Sequence, residues 1–182
     1  TYGVGAGYGG HGAFSYERHA GGPAAGSSSA PLDPGSGGSG GYYTHFISGF
    51  GGGAVLVRAG SNVNVNGSIR ANGTIMPCYG TAGGSGGGIH IVCRSFTGTN
   101  GLVMADGGDY SGVNYTPAGG GGRIAVAYDP TVQSNTVRHS VTFSAAPGVD
   151  CWPTALNGRE FLGAEMGTLH FPDGQWATNV TI

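Results

Sequence analysis

Asp106 and Asp109, in the stretch ADGGDY, are the closest approach this chain makes to an acidic cluster. Acid–base hydrolysis of a sugar bond needs two carboxylates facing one substrate. A calcium loop collects several oxygen-donor side chains at tight spacing. Two aspartates separated by two glycines supply neither, and the D-x-D-x-D-G pattern is missing. The pair reads as a glycine corner with two solvated carboxylates. The six histidines, His11, His19, His45, His90, His139 and His170, show neither H-x-H nor H-E-x-x-H spacing. His90 alternates away from Ile89 and Ile91 and is expected at the surface, while His11 and His19 lie in a glycine-rich start. Ser85 in GGSGG (83–87) matches a nucleophile elbow only by lying in a glycine tract, and GAGYGG (5–10) lacks the strand–helix unit of a dinucleotide site. No catalytic residue, metal ligand or cofactor is expected.

Charge is scarce: seven arginines and no lysine against nine acids, for a net charge of −2. That balance gives no electrostatic footprint for nucleic acid or an anionic membrane. No apolar run approaches the ~18–20 residues that span a bilayer, so no membrane insertion is expected. The chain opens on Thr1, as a processed chain or an excerpt of a longer one would. Three cysteines without a CxxC argue against zinc. One disulfide with a free thiol, or three buried thiols, both fit. Cys93 continues the alternation of Ile89 and Ile91 toward a core, which leaves Cys78–Cys151 as the preferred pair.

The elements that would position anything here are written twice. GGGAVLVRAGSNVNVNGSIRANGT (51–74) returns as GGGIHIVCRSFTGTNGLVMADGG (86–108), and GGGGRIAVAYD (119–129) opens a third copy. Val55 aligns with Ile89 and Ile69 with Val103 at an offset of 34, and Ile89 aligns with Ile124 at 35. A fixed period in this range marks a repeat architecture. The apolar runs are short and alternating, and the 3.6-residue stripe of a helix is missing. Two strands about 14 residues apart per repeat suit a solenoid, with Val55, Ile89 and Ile124 in one inward column, Ile69 and Val103 in another, and Asn72 and Asp106 at a corner. A β-sandwich or jelly roll of hairpins is the alternative.

Glycine supplies 41 of 182 residues. Against a usual share near 7% the excess would cost about 14–28 kcal/mol if alanine fitted those sites, more than a domain's stability of about 5–15 kcal/mol. The glycines must therefore serve left-handed turns or tight backbone contacts, or the chain gains stability from neighbours, or they belong to flexible linkers. Asn72-Gly73 and Asp106-Gly107 have the chemistry of left-handed corners. The apolar runs argue against disorder over 51–129 and leave residues 1–41 open.

GGGAVLV (51–57), GSIRANG (67–73), GGSGGGIHI (83–91) and GGGGRIA (119–125) resemble the glycine-rich parallel β-helix repeats of very large secreted or surface proteins of bacteria. That resemblance implies an extracellular, adhesin-like or scaffold role and carries no catalytic residues. The expected fold is all-β: a parallel β-helix (β-solenoid) with glycine-rich turns and loops. Residues 1–50 form a glycine-rich segment packed on or leading into it, 51–129 the repeats, and 130–182 strands that continue or cap it. VRHSVTF (137–143), GTLHF (167–171) and ATNVTI (177–182) read as those later strands.

A solenoid exposes unpaired backbone at its two terminal rungs, and uncapped ends stack head to tail into an open filament. The expected function is an extracellular structural protein that self-associates into a fibre or sheath. The expected end surfaces are the tyrosine-rich start and the region of Trp152 and Phe161, which cap the core or fill a neighbour's pocket. The alternative is a carbohydrate-binding or adhesin module with Tyr42, Tyr43, Tyr110 and Tyr115 stacking on sugar rings. An enzyme ranks third. Ice binding lacks a Thr-x-Thr ladder. Four sequons, at Asn66, Asn72, Asn114 and Asn179, matter only in a source that glycosylates them.

Overall fold

Short β-branched alternations flanked by glycine make extended strands and nothing longer. The computed structural model describes residues 2–40, 47–74, 80–109, 116–150, 155–156, 159–160, 162–174 and 176. The first copy of the repeat gives β1 (Ala54–Arg58), β2 (Asn62–Asn64) and β3 (Ser68–Arg70), and the second gives β4 (Gly88–Val92), β5 (Ser95–Thr97) and β6 (Leu102–Met104). The third gives β7 (Arg123–Ala127), a one-turn helix α1 (Pro130–Gln133) and β8 (Thr142–Ser144). β9 (Ala155–Leu156) and β10 (Arg159–Glu160) pair as a small antiparallel ribbon, and β11 (Thr168–His170) follows.

Three parallel sheets collect equivalent strands. The first has the order β1-β4-β7-β11, the second β2-β5 and the third β3-β6-β8. Register places Val55 opposite Ile89, Ile89 opposite Ile124 and Ile124 opposite Leu169. Ile69, Val103 and Phe143 share a position in the third sheet, and Val63 meets Phe96 in the second. One hydrophobic core draws on all three sheets, with Ile89, Ile91, Phe96, Val103, Ile124, Val126 and Phe143 fully buried.

Each of the first two repeats holds three strands rather than two. VNVNGSIRA breaks into β2 and β3 around buried Val65, whose N–H donates to the Thr97 carbonyl (3.0 Å). The strand of the reading over 137–143 shortens to β8, although His139, Val141 and Phe143 do alternate inward.

Most glycines serve close approach, not left-handed turns. Among the described glycines only Gly26, Gly80 and Gly98 have positive φ. Asn72, Gly73, Asp106 and Gly107 do not, so the left-handed corner expected there is not formed. Beside the sheets, glycine segments pack backbone on backbone. The Ala6 N–H donates to Gly83 O (3.1 Å), Gly83 to Pro117 O (2.9 Å), Gly120 to Ala6 O (2.8 Å) and Gly86 to Gly120 O (3.0 Å). A Cβ on Gly84 would sit 2.1 Å from the Phe50 carbonyl oxygen. The crowding is that of a collagen axis, where only glycine fits.

The N-terminal segment belongs to this layer. Arg123 Nε donates to the Ala25 carbonyl (2.8 Å), Gly35 N–H to Gly52 O (2.8 Å) and Ser36 N–H to Ser85 Oγ (2.9 Å). This covers the outer face of β4 and β7, which are buried on both sides except at their last residues, as parallel strands generally are. His90 is therefore buried rather than at the surface, and its imidazole is held below its usual pKa by burial and then by the Arg58 charge. Tyr8, in the tyrosine-rich start, is likewise buried, with its ring against Gly26 and 5.8 Å from the Arg123 guanidinium carbon.

Candidate functional site

The two ends of the sheet stack differ from its middle. Strands β1, β2 and β3 are each the last strand of their sheet on the same side. Their exposure alternates without a fully buried position. Val55, Val57, Ala59, Val63 and Ile69 point at the core yet are only partly buried. At the opposite end Leu169 and Phe171 have the same status. The partly buried apolar residues against the core are thus the residues of the terminal strands and their flanks. Among the described residues no strand pairs beyond these, and an unpaired backbone row beside a half-covered apolar column is a template for strand addition.

The far end is partly closed, and its chemistry is specific. Asp129 caps α1, its carboxylate accepting from Thr131 N (2.9 Å) and Val132 N (3.3 Å), and Pro130 sits in the first turn. This sets Gln133 against β5. The Phe96 N–H donates to Gln133 Oε1 (2.8 Å) and Gln133 Nε2 donates to Phe96 O (3.0 Å). The side-chain amide thus takes the place of a peptide group from a third strand and satisfies that edge. Beneath it Phe96, Phe143, Phe171, Tyr128, His139 and Trp176 form an aromatic cluster. Trp176 stacks on Tyr128 at 4.3 Å, and the His139 ring stands edge-on to Trp176 at 4.3 Å. His139 Nδ1 accepts from Val141 N (3.2 Å), so the imidazole proton is assigned to Nε2, on an indole-facing ring. Burial, and then the Arg138 charge, hold this imidazole below its usual pKa.

The acidic pair does positional work. Asn72 Oδ1 accepts from Asp106 N (3.1 Å), Asp106 Oδ1 accepts from Ala146 N (2.9 Å) and from the Ser144 hydroxyl, and Asp109 Oδ1 accepts from Val149 N (2.9 Å). Side chains of one repeat thus tie down the backbone of the next. Asp106 is not the solvated carboxylate of the sequence reading. Asp150, which sequence reasoning passed over, accepts from Ala118 N (2.8 Å) and Ala164 N (2.9 Å), and burial pushes its carboxyl above the usual range despite those bonds.

Among the described residues no group of three or more His, Cys, Asp or Glu is placed to hold a metal ion, and no helix is long and apolar enough to cross a membrane. His19 lies 3.5 Å from Glu17, and both are exposed. Cys93 is a buried free thiol in the core, pushed up to about 11 by burial. Cys78, Cys151, Trp152, Phe161, His45, Tyr42, Tyr43, Tyr110, Tyr115 and residues 177–182 lie outside the described residues. Sequence reasoning also missed α1 and Gln133. The Asp129-Pro130 pair, a cap followed by a first-turn proline, was the available signal. Comparison of the chain with protein-family models, curated proteins and solved structures gave no match.

Proposed function

We propose that this chain is an extracellular structural protein, a β-solenoid whose subunits join end to end into a fibre or sheath. The observation that carries the reading is the placement of the partly buried apolar residues. Val55, Val57, Ala59, Val63 and Ile69 belong to the first rung, and Leu169 and Phe171 to the last strand and its flank. A monomer that ended its life as a monomer would gain by covering those columns, as Gln133 covers β5. Three parallel sheets in stacked register around one core support the solenoid. The extracellular assignment rests on the resemblance of residues 51–129 to secreted bacterial repeats. A structural rather than catalytic role is favoured because the carboxylates of Asp106, Asp109 and Asp150 are spent on backbone N–H groups.

Electron microscopy of the purified chain over a concentration series tests this. Unbranched filaments should lengthen with concentration. Val57→Asp places a charge in the half-covered first-rung column and should abolish them while leaving a folded monomer. Filaments that persist in Val57→Asp would refute the end-to-end contact. A carbohydrate module would instead bind glycans as a monomer.

A further inference from the structure

Head-to-tail contact, as proposed above, leaves open which strands meet and in what register, and the two ends of the first sheet narrow the choice. At the far end the second sheet is closed, because Gln133 occupies the edge of β5. The third sheet ends on β8, whose Phe143 is fully buried beneath Phe171 and Trp176. Among the described residues only β11 stands one strand further out with a half-covered inward residue, Leu169. At the near end β1 presents the same column through Val55. Every contact within the sheet is parallel and obeys one register, Ala54–Gly88–Arg123–Thr168 and Leu56–His90–Ala125–His170. The ends are also opposite in charge. Residues 51–74 carry Arg58 and Arg70 with no acid, whereas 162–176 carry Glu165 and Asp173 with no lysine or arginine. Continuing the register sets Arg58 opposite Pro172, beside Asp173.

We infer that β11 of one copy pairs in parallel with β1 of the next copy, in the register that already runs through the sheet, so that Leu169 meets Val55 and His170 meets Leu56. The occupant of the β1 edge is thus a second copy of this chain. The first sheet becomes continuous along the polymer with four strands per subunit. At a strand spacing of about 4.8 Å each subunit then advances the fibre by about 19 Å.

Two measurements decide it. Helical reconstruction should give a rise of about 19 Å per subunit. The exposed pair Leu56→Cys and His170→Cys, placed in one chain, should give a ladder of covalent oligomers on mild oxidation. The yield should be at least tenfold above that of the displaced pair Ala54→Cys and His170→Cys and of the parent chain. Within one chain Leu56 and His170 are three strand spacings apart, about 14 Å, too far for an internal bridge. Filaments with another rise, or equal ladders from the displaced pair, overturn this register but leave end-to-end assembly standing. Dimers from His170→Cys alone, without ladders, would show a two-fold contact of β11 with itself and overturn the joint. Absence of any oligomer across the concentration series overturns both the joint and the function it rests on.

Discussion

Replacing Gly84 with alanine tests the backbone-packed layer, with Gly60→Ala as its partner. A Cβ at Gly84 would lie 2.1 Å from Phe50 O, 2.3 Å from Phe50 C and 2.8 Å from Gly51 N. These are backbone atoms, so no side chain can swing aside, and relief requires the 50–51 segment to retreat by more than about 1 Å to reach ordinary contact. That segment is held by Thr74 N–H to Phe50 O (2.8 Å) and by Phe50 N–H to Thr74 Oγ1 (2.9 Å), while Gly84 N–H reaches Thr74 O at 3.0 Å. Overpacking at about 1–3 kcal/mol, with two strained hydrogen bonds at about 0.5–1.5 kcal/mol each, gives roughly 2–6 kcal/mol of destabilisation. A Cβ at Gly60 meets nothing within 4 Å, and its φ is not left-handed. Alanine there should stabilise by about 0.4–1 kcal/mol through the unfolded chain. Thermal unfolding followed by circular dichroism, under conditions that keep both variants monomeric, reads the difference. Gly84→Ala should melt about 4–24 °C lower and Gly60→Ala slightly higher than the parent. Similar melting temperatures for the two variants would show that glycine is not there for close approach.

The edge closure by Gln133 is worth testing because two of its hydrogen bonds reach a buried strand. Gln133→Met should cost about 2–4 kcal/mol, since it leaves the Phe96 N–H and C=O unpaired. Gln133→Glu should be less stable than the parent near neutral pH and close that gap on acidification, when its carboxyl can donate to Phe96 O; a gap between the two chains that stays constant through a pH series of melts would sink the amide-mimic role. The buried histidines set a pH dependence with a definite sign. Both His90 and His139 are held below the usual value in the fold. The unfolded chain takes up their protons first, so stability is full above about pH 6.5 and falls as pH drops from there toward the folded values, by at most about 1.4 kcal/mol per pH unit for each histidine. His139→Phe should flatten that slope in urea titrations at several pH values; an unchanged slope would assign the dependence elsewhere. In dilute monomer, amide hydrogen exchange should protect β4 and β7, buried on both faces, well above β1; equal protection in the monomer would mean that β1 is not an open edge.

The repeat was legible because Val55, Ile89 and Ile124 recur at 34 and 35 residues, and the structure pairs them. The spacing then stretches: Val103 pairs with Phe143 forty residues on and Ile124 with Leu169 forty-five on, so no fixed period could reach β8 and β11. β5 was hidden because Ser95-Phe96-Thr97 offers one apolar residue, opposite Val63 at an offset of 33. The role of glycine was half legible. Its excess demanded special sites, but composition does not separate left-handed turns from close approach, and Asn72-Gly73 looked like the former while acting as the latter. His90 was misplaced because strand alternation specifies two faces and not whether a segment more than fifty residues upstream covers the outer one. Uncapped ends were expected of a solenoid, but the residues they leave half-covered were not legible, since partial burial of Val57 or Leu169 depends on which strand stops the stack.

Sedimentation velocity of the parent chain and of Val57→Asp, each from low to high micromolar concentration, addresses end-to-end assembly most directly. The parent should form a concentration-dependent series of ever larger species while Val57→Asp stays a folded monomer. A parent chain that sediments as a single monomer throughout would contradict the assignment of its ends as mutual partners.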